Sequence, residues 1–304
     1  MKVIDKSVNN CWISVHLFHS EPYEPLLING IQPFIQTLLE KKEIQQFFFV
    51  RYKERGPHIR LRIKLMDETI HKKVTEQLKE YFESYFQHFP SPPILPSGED
   101  DLPNNSIHFI KYVPELERYG GEDAMEISET LFFYSSQIVL RIISDAKWDI
   151  ATAFGAALQL HLALLNSFNY SRHDARTLFS LLLLPSIKIR NPIANIEDVI
   201  AQYELRIRNF DSQALYYCDY FWSKILSQNI IDDLNLREWV KSIKSLARDF
   251  ENLNLITPPN MEFLQQLPKS APILSSHIHM INNRLGIPVG EESYINFLLQ
   301  KSLT

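Results

Sequence analysis

Residues 11 to 19, CWISVHLFH, alternate apolar and polar positions, which predicts a half-buried strand. From Glu21 to Lys42 the spacing changes to that of a helix, with Leu26, Leu27, Ile31, Phe34, Ile35 and Leu38 along one stripe. QQFFFVRY and HIRLRIKL then read as two strands, separated by KERGP with turn signals at Gly56 and Pro57. Asp67 is placed to cap a helix running to about Phe86. The proline-rich stretch from 89 to 106 is expected to be irregular, a candidate flap or insertion. IHFIKYVPELERYGG returns to strand character and ends at a double glycine. Beyond Glu122 the pattern is helical over 123–145, 147–168, 173–184, 195–228, 235–252 and 274–285, with Pro185, Pro192, Pro258 and Pro259 as punctuation. The expectation is an α+β fold: a mixed or antiparallel sheet from the strand-rich residues 1–121, and helices over 122–304.

Composition narrows the functions open to such a fold. With 45% hydrophobic residues in 304, the chain can build a large core, as one elaborate domain or two closely packed ones. Net charge is -5, so the basic run RYKERGPHIRLRIK at 51–64 is a local feature of an acidic protein, and no direct nucleic-acid partner is expected. Cys11 and Cys218 form no framework or metal spacing and read as small buried hydrophobes, which suits a reducing cytoplasm. The N-terminus is expected to carry no signal peptide, and no apolar stretch is expected to span a membrane. Only 8 residues are glycine, and neither GxGxxG nor GxxxxGK[ST] occurs, so dinucleotide and ATP cradles are not expected.

Three stretches could carry chemistry. A period of two along HIRLRIK puts His58, Arg60, Arg62 and Lys64 on one face, and Ile59, Leu61 and Ile63 on the other. The cationic row reads either as a solvated face or as an anion site, since arginines at i and i+2 set two guanidinium forks roughly 7 Å apart. In PELERYGG, Glu115 and Arg118 fall three apart before Gly120 and Gly121, which describes an ion pair on a helical turn with or without a catalytic role. In SSHIHMINNRLGI, His279, Asn283 and Arg284 fall at i, i+4 and i+5 beside Ile278, Ile281 and Leu285. That is a polar stripe of either a catalytic or a merely satisfied histidine. His277 and His279 point in different directions on a helix, and no metal site is predicted.

In this order, and with CWISVHLFHSEPYEPLLINGIQPFI before them, FFFVRYKERGPHIRLRIK, ELERYGGEDAMEISETLFFYSS and HIHMINNRLGI resemble the thiopeptide-type bacteriocin biosynthesis family. Its members include the C-terminal elimination domain of class I lanthipeptide dehydratases. The resemblance covers nearly the whole chain and implies a single elimination domain over 1–304. In full-length relatives another domain uses glutamyl-tRNA to acylate Ser and Thr of a precursor peptide, and this domain then removes glutamate. The chain resembles a stand-alone elimination component. The resemblance therefore implies a leader-plus-core precursor peptide and a separate glutamyl-tRNA-dependent dehydratase subunit as partners, and no cofactor. A monomer, a homodimer and a complex with that subunit are all compatible with the sequence.

The resemblance also implies roles. Arg60 matches the arginine that holds the substrate glutamate, with Arg62 as a second anion contact. His279 matches the catalytic histidine. Arg118 would stabilise charge, and Glu115 would orient a cation or take a proton. Arg51, Tyr52, His58 and Asn283 would support substrate binding. Relatives of the same fold instead perform a formal [4+2] cycloaddition that forms a pyridine, and a non-catalytic peptide-binding partner is the third reading.

Overall fold

The computed structural model describes residues 11–304 apart from 94–97, 146–147 and 259, so Pro259 and the middle of the 89–106 stretch lie outside the described residues. The chain forms two compact units, Met1–Pro114 and Glu115–Thr304.

The first unit runs β1 (Trp12–Phe18), α1 (Gln32–Glu40), β2 (Ile44–Tyr52), β3 (His58–Leu65), α2 (His71–His88) and β4 (Ser106–Phe109). The strands form one antiparallel sheet in the order β2-β3-β1-β4. This is the split βαβ arrangement of ferredoxin-like folds. The β2–β3 hairpin is closed by a loop in which Arg55 (φ 64) and Gly56 (φ 105) both take positive φ. Alternation then sorts the strands by face. Val15, Leu17, Phe49, Ile59, Leu61 and Ile63 are fully buried on one face. The helices bring Phe34, Val74, Leu78 and Phe82 to the same core, and each such side chain contributes about 1.5–3 kcal/mol by leaving water. His16, His58, Arg60 and Arg62 are left on the other face.

Asp67 caps as expected, its side chain accepting from Thr69 N at 2.7 Å. The helix expected over Glu21–Lys42 forms from Glu24 to Glu40, starting just after Pro22, and its first part is a π-helical turn, Leu26–Ile31, that leads into α1. Between α2 and β4, the Ser91 backbone N–H donates to Asn105 Oδ1 at 2.8 Å, and Asn104 Nδ2 donates to the Pro92 carbonyl at 2.9 Å. These bonds pin the two ends of the irregular stretch together.

The second unit is helical: α3 (Glu122–Ile143), α4 (Ile150–Ser167), α5 (Arg172–Arg190), α6 (Ile196–Arg206), α7 (Ser212–Tyr220), α8 (Leu234–Glu251), α9 (Ala271–Leu285) and α10 (Val289–Ser302). π-helical turns at Ile207–Asp211 and Phe221–Leu226 flank α7, so the run expected over 195–228 is nearly continuous. Three expectations need correction. Pro185 does not stop α5, which continues five residues to Arg190. Contacts from α10 hold the extension: Asn296 Nδ2 donates to Ser186 Oγ at 3.1 Å, and Arg190 donates to the Gly290 carbonyl at 3.1 Å. Within the helical region expected over 122–304, α10 is a helix that the periodicity did not single out. It buries Tyr294, Ile295, Phe297, Leu298 and Leu299, which lie on more than one side and leave no single apolar stripe. Finally, α4 is long and apolar enough to cross a membrane, against the expectation. With 61% of its residues buried it has the character of a core helix.

Candidate active site

Two groups of the expected residues form, one in each unit. In the first unit the register places Tyr52 opposite His58, Val50 opposite Arg60 and Phe48 opposite Arg62. On the other side of β3, His16 lies opposite Arg60 and Ser14 opposite Arg62. Cross-strand partners share a face, so the two arginines are framed by aromatic and histidine rings.

The buried His58 ring is fixed at both nitrogens. Its Nδ1 donates to the Gly56 carbonyl at 2.8 Å, and its Nε2 accepts from Arg60 Nε at 3.2 Å. That pattern requires the neutral ring. Burial lowers the His58 pKa to about 4, and the Arg60 and Arg62 charges push the same way, while the Gly56 bond opposes. His16 stacks on His58 at 4.8 Å and is lowered to about 3, by burial first and then by His58, Arg60, Arg62 and His108. Both rings are therefore uncharged dipoles beside cations at neutral pH.

Arg60 lies flat over Tyr52, with its guanidinium carbon 3.3 Å from the ring centroid, and reaches Glu54 at 3.4 Å. The Nε bond and the ring together fix the plane of the guanidinium fork. Arg62 lies over Tyr112 at 5.0 Å and Phe48 at 5.6 Å. Lys64 lies 5.8 Å over Trp12. Arg51 is not part of this row. Its cross-strand partner is Ile59, so it projects from the opposite face, where NH1 donates to Glu24 at 2.8 Å.

The second group is built on α9. His279 Nδ1 lies 3.0 Å from both carboxylate oxygens of Glu292, in the first turn of α10. Donation from Nδ1–H to that carboxylate leaves Nε2 as the basic nitrogen. The side chain of His279 is 38% exposed and that of Glu292 only 12%. Glu292 was missed because it lies on α10, an element the periodicity did not reveal. The signal available was a pair of carboxylates, Glu291 and Glu292, three and four residues after Pro288.

Arg118 is held between two partners. NH1 donates to Glu115 at 3.2 Å, and Nε donates to Ser276 Oγ at 3.3 Å. Ser276 precedes His279 by three residues on α9, so Arg118 is tethered to the helical face that carries the histidine. The double glycine makes this approach possible. Gly120 has φ +84, and a Cβ there would lie 2.6 Å from Ile273 Cδ1 of α9. His277 points elsewhere, as its offset from His279 predicts. It is buried against Tyr119 and Phe132, with Nε2 3.2 Å from Ser128 Oγ. Burial, then Arg284 and Arg118, hold its pKa well below the ordinary histidine value. Arg284 is fully buried and donates to Ser136 Oγ at 3.0 Å and to the Met280 carbonyl at 3.2 Å. Asn283 is half-buried, one α-helical turn beyond His279. Among the described residues, no group of three or more His, Cys, Asp or Glu side chains is placed to hold a metal ion.

Solved structures share the fold. The pyridine synthase TbtD from thiomuracin biosynthesis superposes with a TM-score of 0.66 at 15% identity, over 96% of this chain and 97% of its own. The tRNA dependent lantibiotic dehydratase MibB from Microbispora sp. 107891 gives 0.63 at 17% identity, over 99% of this chain and 28% of its own. Among curated proteins, the nisin biosynthesis protein NisB of Lactococcus lactis subsp. lactis is 28% identical over 96% of this chain, and the epidermin biosynthesis protein EpiB of Staphylococcus epidermidis is 25% identical over 96%. This chain spans about a quarter of the length of those two relatives. The family model described as lantibiotic biosynthesis dehydratase C-term matches residues 12–303, and the chain belongs to that family.

Proposed function

We propose that this chain removes glutamate from glutamylated Ser and Thr residues of a ribosomally made precursor peptide, leaving dehydroalanine or dehydrobutyrine. The observation that carries the reading is the His279–Glu292 pair, an accessible imidazole whose Nδ1 is held by a shielded carboxylate. Elimination needs such a base. His279 Nε2 takes the Cα proton, the Cβ–O bond breaks, and its electron pair leaves on the glutamate carboxylate. Glu292 stabilises the imidazolium formed in that step, as a carboxylate orients a histidine base in hydrolases.

Arg118 is assigned the charge that develops on the carbonyl next to Cα, and Glu115 the orientation of Arg118. Arg60, with its fork held by Tyr52 and His58, is assigned the carboxylate of the substrate glutamate, and Arg62 a second contact with that anion. Asn283 is assigned a substrate contact one turn from the base. Arg51 is assigned support of the β2–β3 hairpin through Glu24. The glutamyl group would be supplied by a separate glutamyl-tRNA-dependent subunit, and the reaction would take place in the cytoplasm.

The test is to offer the purified protein a precursor peptide already glutamylated on Ser or Thr, and to follow glutamate release by mass spectrometry. Glutamate release with formation of dehydro residues supports the reading. A pyridine formed from a peptide that already contains dehydroalanine, with no release from the ester, would favour cycloaddition instead.

A further inference from the structure

The β1–β4 ladder fixes which groups of β4 are left open. Ile110 N donates to the Ser14 carbonyl at 3.2 Å, and the register pairs His16 with His108 and Phe18 with Ser106. In an antiparallel pair, hydrogen-bonded positions alternate with positions whose N–H and C=O point away from the partner. Since residues 106, 108 and 110 bond to β1, Ile107 and Phe109 turn their backbone N–H and C=O outward. Among the described residues β4 is the end strand of the sheet, and there these four groups line its open edge.

The same two residues line a cleft. Ile107 and Phe109 form one wall, and Lys79, Glu83, Phe86 and Gln87 of α2 the other, around a volume of about 610 Å³. Phe109 is 44% exposed, although it faces the apolar side of the sheet. Lys79 and Glu83 pair at 3.8 Å on the rim and are both more than half exposed, so the cleft offers both signs of charge beside an aromatic floor.

We propose that the free edge of β4 binds an extended stretch of the precursor peptide as a fifth strand, with alternate side chains entering the cleft against α2. The identity of the peptide rests on the elimination reading. The occupant's conformation rests on the edge itself. Donor and acceptor pairs recurring every second residue, about 7 Å apart, match the main chain of a strand. A small anion would have no use for the outward carbonyls. With only four residues in β4, the edge holds little more than one such repeat, which makes binding weak and reversible, as a substrate that must be handed on requires.

The test uses the unmodified precursor peptide, labelled with a fluorophore and titrated by anisotropy, with a series in which single peptide nitrogens are methylated. N-methylation should weaken binding by about tenfold at alternate positions of one short stretch and leave the neighbouring positions unchanged. On the protein side, Ile107→Pro and Phe109→Pro each remove one outward N–H without touching a β1 bond, and each should weaken binding about fivefold. The methylated series leaves the protein unaltered, so it decides the matter even if a proline variant misfolds. Binding without alternation, or no binding, overturns the proposal. So does self-association of the protein that Phe109→Pro abolishes, because the edge would then belong to a second copy. Glutamate release from a single glutamylated Ser, which offers no run of peptide groups to a strand edge, is scored separately. Its loss would refute the elimination reading while leaving peptide binding at β4 intact.

Discussion

Nδ1 of His279 stands 3.0 Å from both oxygens of Glu292, so the last two helices of the chain are joined by a carboxylate–imidazole pair. If that pair sets the orientation of the base, Glu292→Gln should lower kcat about 10- to 100-fold with little change in KM. Glu292→Asp, which keeps the charge on a shorter arm, should recover part of it. Thermal unfolding of the same variants separates this outcome from a loss of fold. A fall in kcat matched by a large fall in Tm would assign Glu292 to stability alone.

Arg60 is held by Tyr52 on its face and by His58 at Nε. Replacing it with Ala should leave glutamylated intermediates accumulating, with the circular dichroism spectrum unchanged. Lys should rescue poorly, because an ammonium cannot present a planar fork. Arg51→Ala is the contrasting case. Its partner is Glu24 on the opposite face of the sheet, so it should affect stability more than glutamate recognition.

Gly120 meets α9 at Ile273, with a positive φ that only glycine adopts freely. Gly120→Ala should cost about 2 kcal/mol or more, measured as a lower denaturation midpoint. Ile273→Ala alone should cost about 2–5 kcal/mol as a buried deletion, and because it removes the atom that a Cβ at Gly120 meets, the double variant should lose less than the sum of the two single losses.

The buried histidines of the sheet make the first unit sensitive to acid. His58 and His16 have folded-state pKa values of about 4 and about 3, against 6.5 for the exposed side chain. The unfolded chain therefore binds more protons than the folded one between these values, and stability falls as the pH drops below about 6.5. The loss should grow down to about pH 3, at no more than about 1.4 kcal/mol for each unit of pKa difference at a site. Urea denaturation followed by circular dichroism from pH 7 to 4 measures it. His58→Gln should flatten the dependence.

The sequence made the sheet legible because its strands are amphipathic. A period of two separated Ile59, Leu61 and Ile63 from His58, Arg60 and Arg62, and the structure keeps that division. The face of Arg51 on β2, by contrast, depends on a pairing register that one strand alone does not reveal. The helices of the second unit were legible wherever they bury one stripe, as in α8. α10 was not, because its buried residues spread around the helix, and Glu292 was lost with it. Pro185 misled for a related reason, since α10 supplies contacts that local propensity does not contain. The functional reading itself came from the ordered resemblance of whole motifs.

The most direct measurement is glutamate release from a glutamylated precursor peptide, comparing wild-type protein with His279→Ala in single-turnover mass spectrometry. The account predicts one dehydro residue for each glutamate lost with wild type, and a glutamylated peptide that persists with the variant while its fold is retained. Release by His279→Ala at the wild-type rate would contradict it, as would an unreactive ester with wild-type protein.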